Sequence, residues 1–544
     1  MAIKSVLVSA FNVSAANELN DRWQARKVVN PSPLQQNVIN AVNNEKTNII
    51  VGAVAGSGKT SLLMAVLQSL ENTNNKLDVK ILNIHKIGTQ GLLTPAIGKI
   101  KLFEHKYNQI IGSKEGDWYH KFYEGLSAEA KKNQSKVPGY LDLRYTVLFL
   151  INIARSTLTD IYSEEAIIKL AEEYGKDIGS LSTPIPTIVA KFVSKVLVQQ
   201  TEEIAFSDAP IKPVDFTDMI YMPVYVNQNK GLSHKFKFDL IVVDECQDLS
   251  RCQLELIKLC AHKNSRFLFV GDPYQAIYGF AGADTKSFNT IQKDLNCKYL
   301  PLSVNYRCPT SVIELAKLYC PQIEPCEIAI NNKVEGEITH LNDEEVPEAL
   351  QPGDVVLCRF NAPLIRYAIQ CLKYKKLVTV KGKDLAKELV NHIKLIADLP
   401  GFDYSTGFFD YCDKYFSAKI SRLKERENTD TAISMLQDYK EAIEICYSEF
   451  FIADTLESLC QQIEDLFDRK NANIFFQTIH KAKGSEAPKI YILGFNKMPV
   501  SFPKATTDQY QQERNLTYVA LTRCKFEIDN EHSGKLYLGN ERKN

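Results

Sequence analysis

Short apolar runs alternate with stretches of helical spacing along most of the chain, a pattern that is typical of α/β proteins. The apolar segments NIIVGAV and FDLIVV predict buried strands, and each runs into a polar loop. Between residues 96 and 205, and again from 386 to 470, apolar residues recur at helical spacing. The pattern therefore predicts parallel sheets that are interrupted by two helical insertions.

The start of the chain has the same form. In SVLVSAFNVSAANEL, residues 5–19, the apolar run predicts a buried strand, Phe11 and Asn12 predict a turn, and Ser14 suits a helix N-cap. Strand, turn and helix form half of a βα unit, so we expect this segment to lie in a parallel sheet.

Composition narrows the class of protein. The 544 residues include 65 basic and 65 acidic ones, so any nucleic-acid binding has to rest on local groups. The 13 cysteines form no Cys-x-x-Cys pair, which argues against a zinc site or a disulfide framework and favours an intracellular protein. The longest apolar run, 147–154, is too short to span a membrane, and no basic-then-apolar leader opens the chain. We therefore expect no contact with a membrane.

The strongest local signal is NIIVGAVAGSGKTSLLMAVLQSL, residues 48–70. Glycines let backbone N–H groups curl round phosphate oxygens, and the following helix N-terminus adds its positive end. Lys59 would reach the β- and γ-phosphates, and Thr60 would bind Mg²⁺. Ala53 stands where the strict pattern has glycine, and a glycine-rich turn without a ligand is the alternative. The predicted nucleotide-binding residues here are Ala55, Gly56, Ser57, Gly58, Lys59, Thr60 and Ser61.

The strand in FDLIVVDECQDLS delivers Asp244 and Glu245 to its carboxyl end, where ligands bind in open α/β sheets. Asp244 suits Mg²⁺ coordination, and Glu245 suits positioning or deprotonating the attacking water. An acidic surface loop is the alternative, and the phosphate loop on the same chain disfavours it. Together the two segments predict an NTPase that depends on Mg²⁺.

Four further motifs follow DECQD in order. They are GDPYQAIYGFAGAD (271–284), LSVNYRCP (302–309), TIHKAKGSEAPKIYIL (478–493) and QERNLTYVALTRCK (512–525). In this order they resemble the motifs of the UvrD/Rep-like superfamily 1A DNA helicases, and the resemblance touches most of the chain. It implies an α/β fold of two RecA-like parallel-sheet lobes with helical insertions, an ATP cleft between the lobes, and ATP with Mg²⁺ as cofactors.

The same resemblance divides the chain into six segments. The first lobe would comprise 1–95, which contains the phosphate loop and the segment around Gln35 (the Q motif of this family), and 206–300. A helical insertion at 96–205 would lie between them. The second lobe would comprise 301–385 and 471–544, with a small helical insertion at 386–470. We expect this second insertion to be much shorter than in the large bacterial relatives.

Several residues match positions that contact the nucleotide base and ribose in this family. Gln35 matches the glutamine that reads the adenine edge, and Tyr306 matches the aromatic residue that stacks on the base. Gly484 and Glu486 match a loop near the ribose. Ser61 stands where relatives often have an arginine that sandwiches the adenine, which leaves stacking to Tyr306.

Three residues match groups that act at the γ-phosphate. Gln275 matches the residue that senses this phosphate and links it to the DNA track, and Arg307 and Arg523 match two arginines of the second lobe. Positive charge at the γ-oxygens suits a dissociative phosphoryl transfer. Besides Ser61, two further positions depart from the motif sequences of the family. Ala281 stands where relatives commonly have an arginine, so a positive group beside the phosphate site is missing. Ser485 stands where they usually have leucine, and we expect this difference to change packing only.

The remaining matches concern the single strand. Tyr278 and Phe280 match aromatic residues on which bases stack, an interaction that tolerates any base sequence. His480 and Lys481 match a loop near the track. His85, at the end of the strand in VKILNIHKIG, is assigned to the track as well.

The opening segment has a counterpart in this family, at another place in the chain. There a motif worded like AFNKSAAEEL follows the phosphate-loop helix, and its aromatic turn touches the single strand. Here that helix leads directly to VKILNIHKIG (79–88), and VLVSAFNVSAANEL is the best match to the missing motif. We expect that a βα unit has moved ahead of the phosphate loop and fills the same place in the sheet, with Phe11 as a DNA contact. Coincidence is the alternative.

The resemblance implies an ATP-driven helicase or translocase that moves 3′ to 5′ on single-stranded DNA. The alternatives are a translocase that strips proteins from DNA without efficient strand separation, and a nucleotide-gated binding module with inactive chemistry. RNA is an alternative to DNA as the bound strand, because aromatic residues that stack on bases do not distinguish ribose from deoxyribose. The expected partners are single-stranded DNA, single-strand/duplex junctions, and replication or repair proteins. We expect a monomer or weak oligomer in the cytoplasm of a bacterial cell or a phage-infected host.

Overall fold

The computed structural model describes most of the chain and divides it into two compact units. The described residues are 3–10, 12–25, 29–74, 76–112, 118–130, 136–279, 282, 286–427, 429–450, 454–503, 505–527 and 534–541. Unit 1 comprises Met1–Lys132, Arg144–Leu170 and Pro184–Ser303, and unit 2 comprises Asn133–Leu143, Ala171–Thr183 and Val304–Asn544. The six segment boundaries drawn from the sequence stay a prediction.

Strands and helices alternate in the first 303 residues. The strands are β1 (Ser5–Ala10), β2 (Ile49–Ala53), β3 (Asp78–Asn83), β4 (Ile100–Leu102), β5 (Lys212–Val214), β6 (Phe238–Val243), β7 (Ala261–Gly271) and β8 (Lys298–Leu302). The helices are α1 (Val13–Ala25), α2 (Pro33–Asn44), α3 (Lys59–Thr73), α4 (Ile84–Lys86), α5 (Thr94–Ile97), α6 (Lys106–Ile111), α7 (Trp118–Ala130), α8 (Tyr140–Thr157), α9 (Glu164–Glu173), α10 (Ile185–Phe206), α11 (Phe216–Lys230), α12 (Arg251–Leu259) and α13 (Ser287–Asp294).

Unit 1 is built on a sheet of six parallel strands in the order β3-β1-β6-β7-β2-β8. The phosphate loop follows β2, and the acidic pair follows β6, with β7 between the two. Because parallel strands end at the same edge of a sheet, this order brings the predicted nucleotide-binding groups of the unit to one edge.

The opening segment lies inside this sheet. Val6 of β1 pairs with Val79 of β3 on one side and with Leu240 of β6 on the other, both in parallel register. Val6, Leu7 and Val8 are fully buried, as expected for a strand that is covered on both faces. The prediction that the segment belongs to a parallel sheet is confirmed, while Phe11 lies outside the described residues.

Helices α1, α2 and α3 share one hydrophobic core with the strands of unit 1. Leu19 and Trp23 of α1, Val38 of α2 and Leu63 of α3 are buried in it. Leu19 and Trp23 are four residues apart and lie on one face of α1, whereas α3 is buried all round from Leu62 to Leu67. The core fixes the helix that begins at the phosphate loop against the strand that precedes it.

The elements from residue 304 onward belong to unit 2. The strands are β9 (Val304–Asn305), β10 (Glu324–Pro325), β11 (Glu337–Asn342), β12 (Val355–Cys358), β13 (Val378–Val380), β14 (Ile474–Thr478), β15 (Lys489–Ile492) and β16 (Lys535–Asn540). The helices are α14 (Thr310–Ala316), α15 (Glu327–Asn331), α16 (Val346–Ala349), α17 (Asn361–Lys373), α18 (Lys383–Ala397), α19 (Tyr404–Leu423), α20 (Asp430–Glu449), α21 (Leu456–Phe467), α22 (Ile479–Ala482) and α23 (Thr507–Leu521).

Unit 2 has its own parallel sheet, in the order β11-β16-β15-β12-β14-β13. Helices α18 to α21, which the sequence assigns to the second insertion, pack into the same core as this sheet. Phe416, Ile443 and Ile463 of these helices are buried in one cluster with Val356 of β12 and Phe476 of β14. Two parallel sheets with helices around them confirm the predicted α/β class.

Two segments of the predicted first insertion also pack within unit 2. Asp142 accepts a hydrogen bond from Lys419 at 2.7 Å, and Asp177 accepts one from the buried Arg422 at 2.8 Å. Sequence spacing alone did not separate these segments from the rest of the insertion, because helical periodicity reveals a buried face without naming its partner.

Two general properties follow from the described part of the chain. No helix there combines the length and the apolar character that crossing a membrane requires. All 13 cysteines are free thiols, and all but Cys460 are buried.

Candidate functional site

The phosphate loop joins β2 to α3 and holds two glycines in the left-handed region. Gly56 has a φ of 64° and Gly58 a φ of 79°, a conformation that L side chains rarely adopt. A Cβ on Gly58 would lie 3.1 Å from Nε2 of Gln35. Backbone conformation and space therefore both favour glycine at the residue before α3.

Polar groups of this loop suit a phosphate. The Ser57 side chain is 3% exposed, and its hydroxyl has no hydrogen-bond partner among the described atoms. Thr60 and Ser61 lie half-buried in the first turn of α3, and Ala55 is buried before it. An orphaned buried hydroxyl beside the positive end of a 15-residue helix fits an anionic ligand such as a triphosphate.

Lys59 forms an ion pair with Glu245. Its Nζ lies 2.7 and 2.6 Å from the two carboxylate oxygens. Burial alone would lower the pKa of Lys59, but the carboxylates of Glu245, Asp244 and Asp272 outweigh it and raise the pKa. The lysine is therefore charged at neutral pH, and this charge faces three carboxylates at the edge of the sheet.

Asp244 follows directly after β6 and is buried. Its backbone N–H donates to the carbonyl oxygen of Ser9 in β1 at 3.1 Å, and its carboxylate accepts from the backbone N–H of Glu245 at 3.0 Å. Burial, followed by the neighbouring Glu245 carboxylate, raises the pKa of Asp244. A divalent cation would offset this electrostatic cost, so the carboxylate fits Mg²⁺.

Glu245 has a left-handed backbone, with φ 52° and ψ 43°. Such a conformation is uncommon for a residue other than glycine and costs on the order of 1–3 kcal/mol. Residues of this kind cluster at functional sites, where the surroundings fix them. Here the ion pair with Lys59 holds the side chain.

A chain of hydrogen bonds connects Glu245 to Gln275. Nε2 of Gln247 donates to Glu245 at 2.7 Å and to Asp248 at 3.0 Å, and its Oε1 accepts from the backbone N–H of Asp272 at 3.0 Å. Asp272 accepts from Nε2 of Gln275 at 2.7 Å. The sequence assigned Gln275 to the site but missed Gln247 and Asp272. Both could have been predicted from DECQD and GDPYQ, because polar residues that follow adjacent parallel strands lie close together at one edge of the sheet.

Gln35 lies between the cap of α2 and the phosphate loop. Its Oε1 accepts from the backbone N–H of Ser32 at 3.0 Å, and its Nε2 donates to the carbonyl oxygen of Gly58 at 3.3 Å. The side chain is 5% exposed. The structure thus brings Gln35 to the predicted nucleotide-binding loop, while its contact with adenine stays a prediction.

The predicted nucleic-acid contacts of unit 1 are only partly described. His85 is half-buried, with its ring edge-on to Phe216 at 5.7 Å between centroids, and burial lowers the pKa of His85. Tyr278 is half-buried after the Gln275 segment. Phe280, like Phe11, lies outside the described residues.

In unit 2, Arg307 and Arg523 both bind Thr522. Nη1 of Arg307 donates to the carbonyl oxygen of Thr522 at 3.2 Å, and Nη2 of Arg523 donates to its hydroxyl at 3.2 Å. Nε of Arg307 also lies 2.5 Å from a carboxylate oxygen of Glu486. The structure therefore brings three residues of separate predicted motifs together.

Arg523 is 2% exposed and held by backbone carbonyls. Its Nε donates to Val519 at 2.9 Å and its Nη1 to Ser485 at 3.3 Å. Burial, and next the charge of Arg307, lower the pKa of Arg523 to about 10. The guanidinium group still carries its charge at neutral pH.

The loop that carries Ser485 has more polar structure than the sequence predicts. The Ser485 hydroxyl donates to the carbonyl oxygen of Ala482 at 2.8 Å and accepts from Nε2 of Gln477 at 3.2 Å. Gly484 beside it has a φ of 87°. The serine was expected to change packing only, and it also adds hydrogen bonds that fix the loop that accepts from Arg523.

The other predicted site residues of unit 2 differ in exposure. Tyr306 is 42% exposed, so its ring can receive a flat ligand. His480 is partly buried, and burial together with the Arg359 charge lowers its pKa to about 3. Lys481 is exposed and lies 3.2 Å from Asp384.

Comparison with known proteins agrees with the motif order. Residues 99–296 match the family described as the UvrD/REP helicase N-terminal domain. Over these residues the chain is similar to the UvrD/Rep helicases. It is similar to the ATP-dependent DNA helicase Rep of Buchnera aphidicola subsp. Acyrthosiphon pisum, with 37% identity over 107 residues, which is 19% of this chain and 17% of that protein.

Longer matches to other DNA helicases have lower identity. The F-box DNA helicase protein 1 of Schizosaccharomyces pombe is 24% identical over 61% of this chain and 38% of its own length. The probable DNA helicase II homolog of Mycoplasma genitalium is 23% identical over 57% of each chain. The chain therefore covers less than two thirds of the length of each of these three relatives.

Proposed function

We propose that this chain is an ATP-driven motor that moves 3′ to 5′ on single-stranded DNA and separates duplex at a junction. The observation that carries the proposal is the edge of the unit 1 sheet. There the phosphate loop, the charged Lys59 and the carboxylates of Asp244 and Glu245 converge in a UvrD/Rep-like chain.

The phosphate loop would bind ATP. Backbone N–H groups of the loop and the hydroxyl of Ser57 face the phosphates in this proposal, and Lys59 reaches the β- and γ-phosphates. Thr60 and Asp244 would hold Mg²⁺. When bound, the ion supplies positive charge to the phosphate oxygens.

Glu245 would orient and deprotonate the attacking water. Because Lys59 binds both oxygens of this carboxylate, binding of a triphosphate has to draw Lys59 away or share it. Arg307 and Arg523 keep the role that the resemblance gives them, positive charge at the γ-phosphate, and Arg523 carries the charge that this role needs.

The single strand would stack on aromatic residues. Tyr278 belongs to this set, and Phe11 and Phe280 are assigned to it from the sequence alone. Stacking contributes about 1–3 kcal/mol per base and accepts any base. His85, His480 and Lys481 would line the same track. Replication or repair proteins are the candidate partners of a monomer or weak oligomer in the cytoplasm.

ATP hydrolysis by two variants tests this function. Lys59→Ala should weaken nucleotide binding, and Glu245→Gln should retain it while hydrolysis in the presence of single-stranded DNA falls by about 10²–10⁴-fold. Lys76→Ala, which removes an exposed lysine of the same unit, is the matched control and should hydrolyse ATP like the wild type. Wild-type rates in Glu245→Gln would remove the water-activating role from this residue.

The second candidate function is a translocase that displaces proteins without opening duplex. It is favoured by the short second insertion, whose helices share a core with the unit 2 sheet. Partial duplexes with a 3′ or a 5′ single-stranded tail separate the candidates. Opening of the 3′-tailed substrate alone supports the helicase, whereas ATP turnover that rises with single strands while both duplexes stay closed supports the translocase. RNA tails in the same assay decide the sugar preference.

A further inference from the structure

Gln247 is a buried side chain whose amide has a single satisfactory orientation. The residue is 1% exposed. Its Oε1 faces a backbone N–H, that of Asp272, which can only donate. Its Nε2 faces the carboxylates of Glu245 and Asp248, which accept. If the amide were rotated by 180°, its oxygen would face the two carboxylates and its NH2 group would face the N–H of Asp272. Acceptors would then face acceptors and a donor would face a donor, so these partners fix the NH2 group toward Glu245.

We propose that Gln247 is a positioning residue, which holds the carboxylate of Glu245 where it activates water. The inference rests on the proposed function of the site. Gln247 does not touch the reacting atoms in this proposal. It acts through Glu245, and the bond from Asp272 ties it to the residue that orients Gln275.

The position of Lys59 explains why a second donor is needed. Lys59 and Gln247 both donate to the carboxylate of Glu245. A lysine that turns to a phosphate weakens its hold on Glu245, whose left-handed backbone gives the side chain an unusual direction. The bond from Gln247 does not depend on the nucleotide, so it keeps the carboxylate in place during the step that needs it.

The end of β7 is shaped around the same side chain. A Cβ on Gly271 would lie 2.5 Å from Oε1 of Gln247 and 2.7 Å from Sγ of Cys246. Glycine therefore allows β7 to approach closely enough for Asp272 to donate to the amide. Close approach of two strand ends at this point agrees with a role for the bond between them.

Steady-state ATP hydrolysis by four proteins tests the proposal: the wild type, Gln247→Met, Glu245→Gln and the double variant. Methionine keeps the length of the side chain and removes its donor. Gln247→Met should lower kcat by about 10–100-fold, because small misplacement of a catalytic group has effects of this size, while KM for ATP changes less than about 2-fold. Once Glu245→Gln is present, Gln247→Met should cause no further loss, because residues that act as a unit are not additive.

Gln228→Met, at an exposed position of α11, is the matched control and should leave kcat unchanged. Gln247→Leu, which removes the donor to Glu245 and adds no charge, should lose kcat like Gln247→Met and replaces it if that variant fails to fold. An equal loss of kcat with and without Glu245→Gln would reduce Gln247 to a structural role and overturn the proposal, as would an unchanged kcat. A wild type without ATP hydrolysis would overturn the proposed function itself.

Discussion

Backbone conformation sets the direction of the main chemical groups in unit 1. Gly58 is left-handed, so α3 begins at Lys59 with its N–H groups toward the loop. Glu245 is left-handed as well, and its carboxylate faces that lysine. The sequence predicts the residues of the phosphate loop and the acidic pair well, because in each case the strand and the loop that follows it are contiguous in the chain. It misses Gln247, whose partner Asp272 becomes adjacent only when β6 and β7 pair.

Gly58→Ala tests the left-handed start of α3. The new Cβ adopts an unfavourable φ and lies 3.1 Å from the Gln35 amide, so we expect the free energy of unfolding to fall by about 1–2 kcal/mol and ATP affinity to fall. Gly125→Ala in α7, where a Cβ meets open space, should instead raise stability by up to about 1 kcal/mol. Urea denaturation and nucleotide titration measure both, and equal behaviour of the two variants would contradict the argument.

At the scale of elements, the order of strands departs most from the order of the chain. β1 is first in sequence and second in the sheet, between β3 and β6. The apolar run predicts a buried strand, and the resemblance predicts its place. Periodicity could not have done so, because it reports which faces are buried and not which strands are neighbours.

Leu7→Ala tests how much unit 1 depends on β1. Leu7 is fully buried, and removing its side chain should lower the free energy of unfolding by about 2–5 kcal/mol. Val13→Ala in the adjoining helix removes a side chain that is 55% exposed and should change it by less than about 0.5 kcal/mol. A small effect of Leu7→Ala in thermal or urea unfolding would mean that the strand is dispensable for the sheet.

At the scale of the whole molecule, each unit has a parallel sheet with its own core. The helices predicted as a second insertion are part of the unit 2 core, since Phe416 and Ile443 lie in one cluster with the strands. The sequence patterns predicted these helices but did not predict that they share a core with the sheet. An apolar helix face packs equally well on a sheet or on other helices, so spacing does not choose between them.

The stability of unit 2 should depend on pH through His392. Its Nδ1 lies 3.0 Å from the Tyr415 hydroxyl, and burial lowers its pKa to about 3. The unfolded chain protonates this histidine near pH 6.5, so the stabilising contribution is complete above that pH and is lost as pH falls toward 3. The slope is up to about 1.4 kcal/mol per pH unit.

His392→Asn removes this titration. Urea denaturation of the variant between pH 4.5 and 7 should therefore give a shallower pH dependence than the wild type, even if the variant is less stable throughout. Parallel curves for the two proteins would show that the histidine does not titrate on unfolding.

The place of β1 in the sheet has a consequence during synthesis. β1 emerges from the ribosome before both of its neighbours: β3 follows after some seventy residues, and β6 only when residues near Leu240 have been made. At about 5–20 residues per second, the second edge of β1 waits about 10–50 s. Through that interval the apolar strand β1 presents unpaired N–H and C=O groups, which makes the nascent chain a template for wrong pairing and a substrate for chaperones.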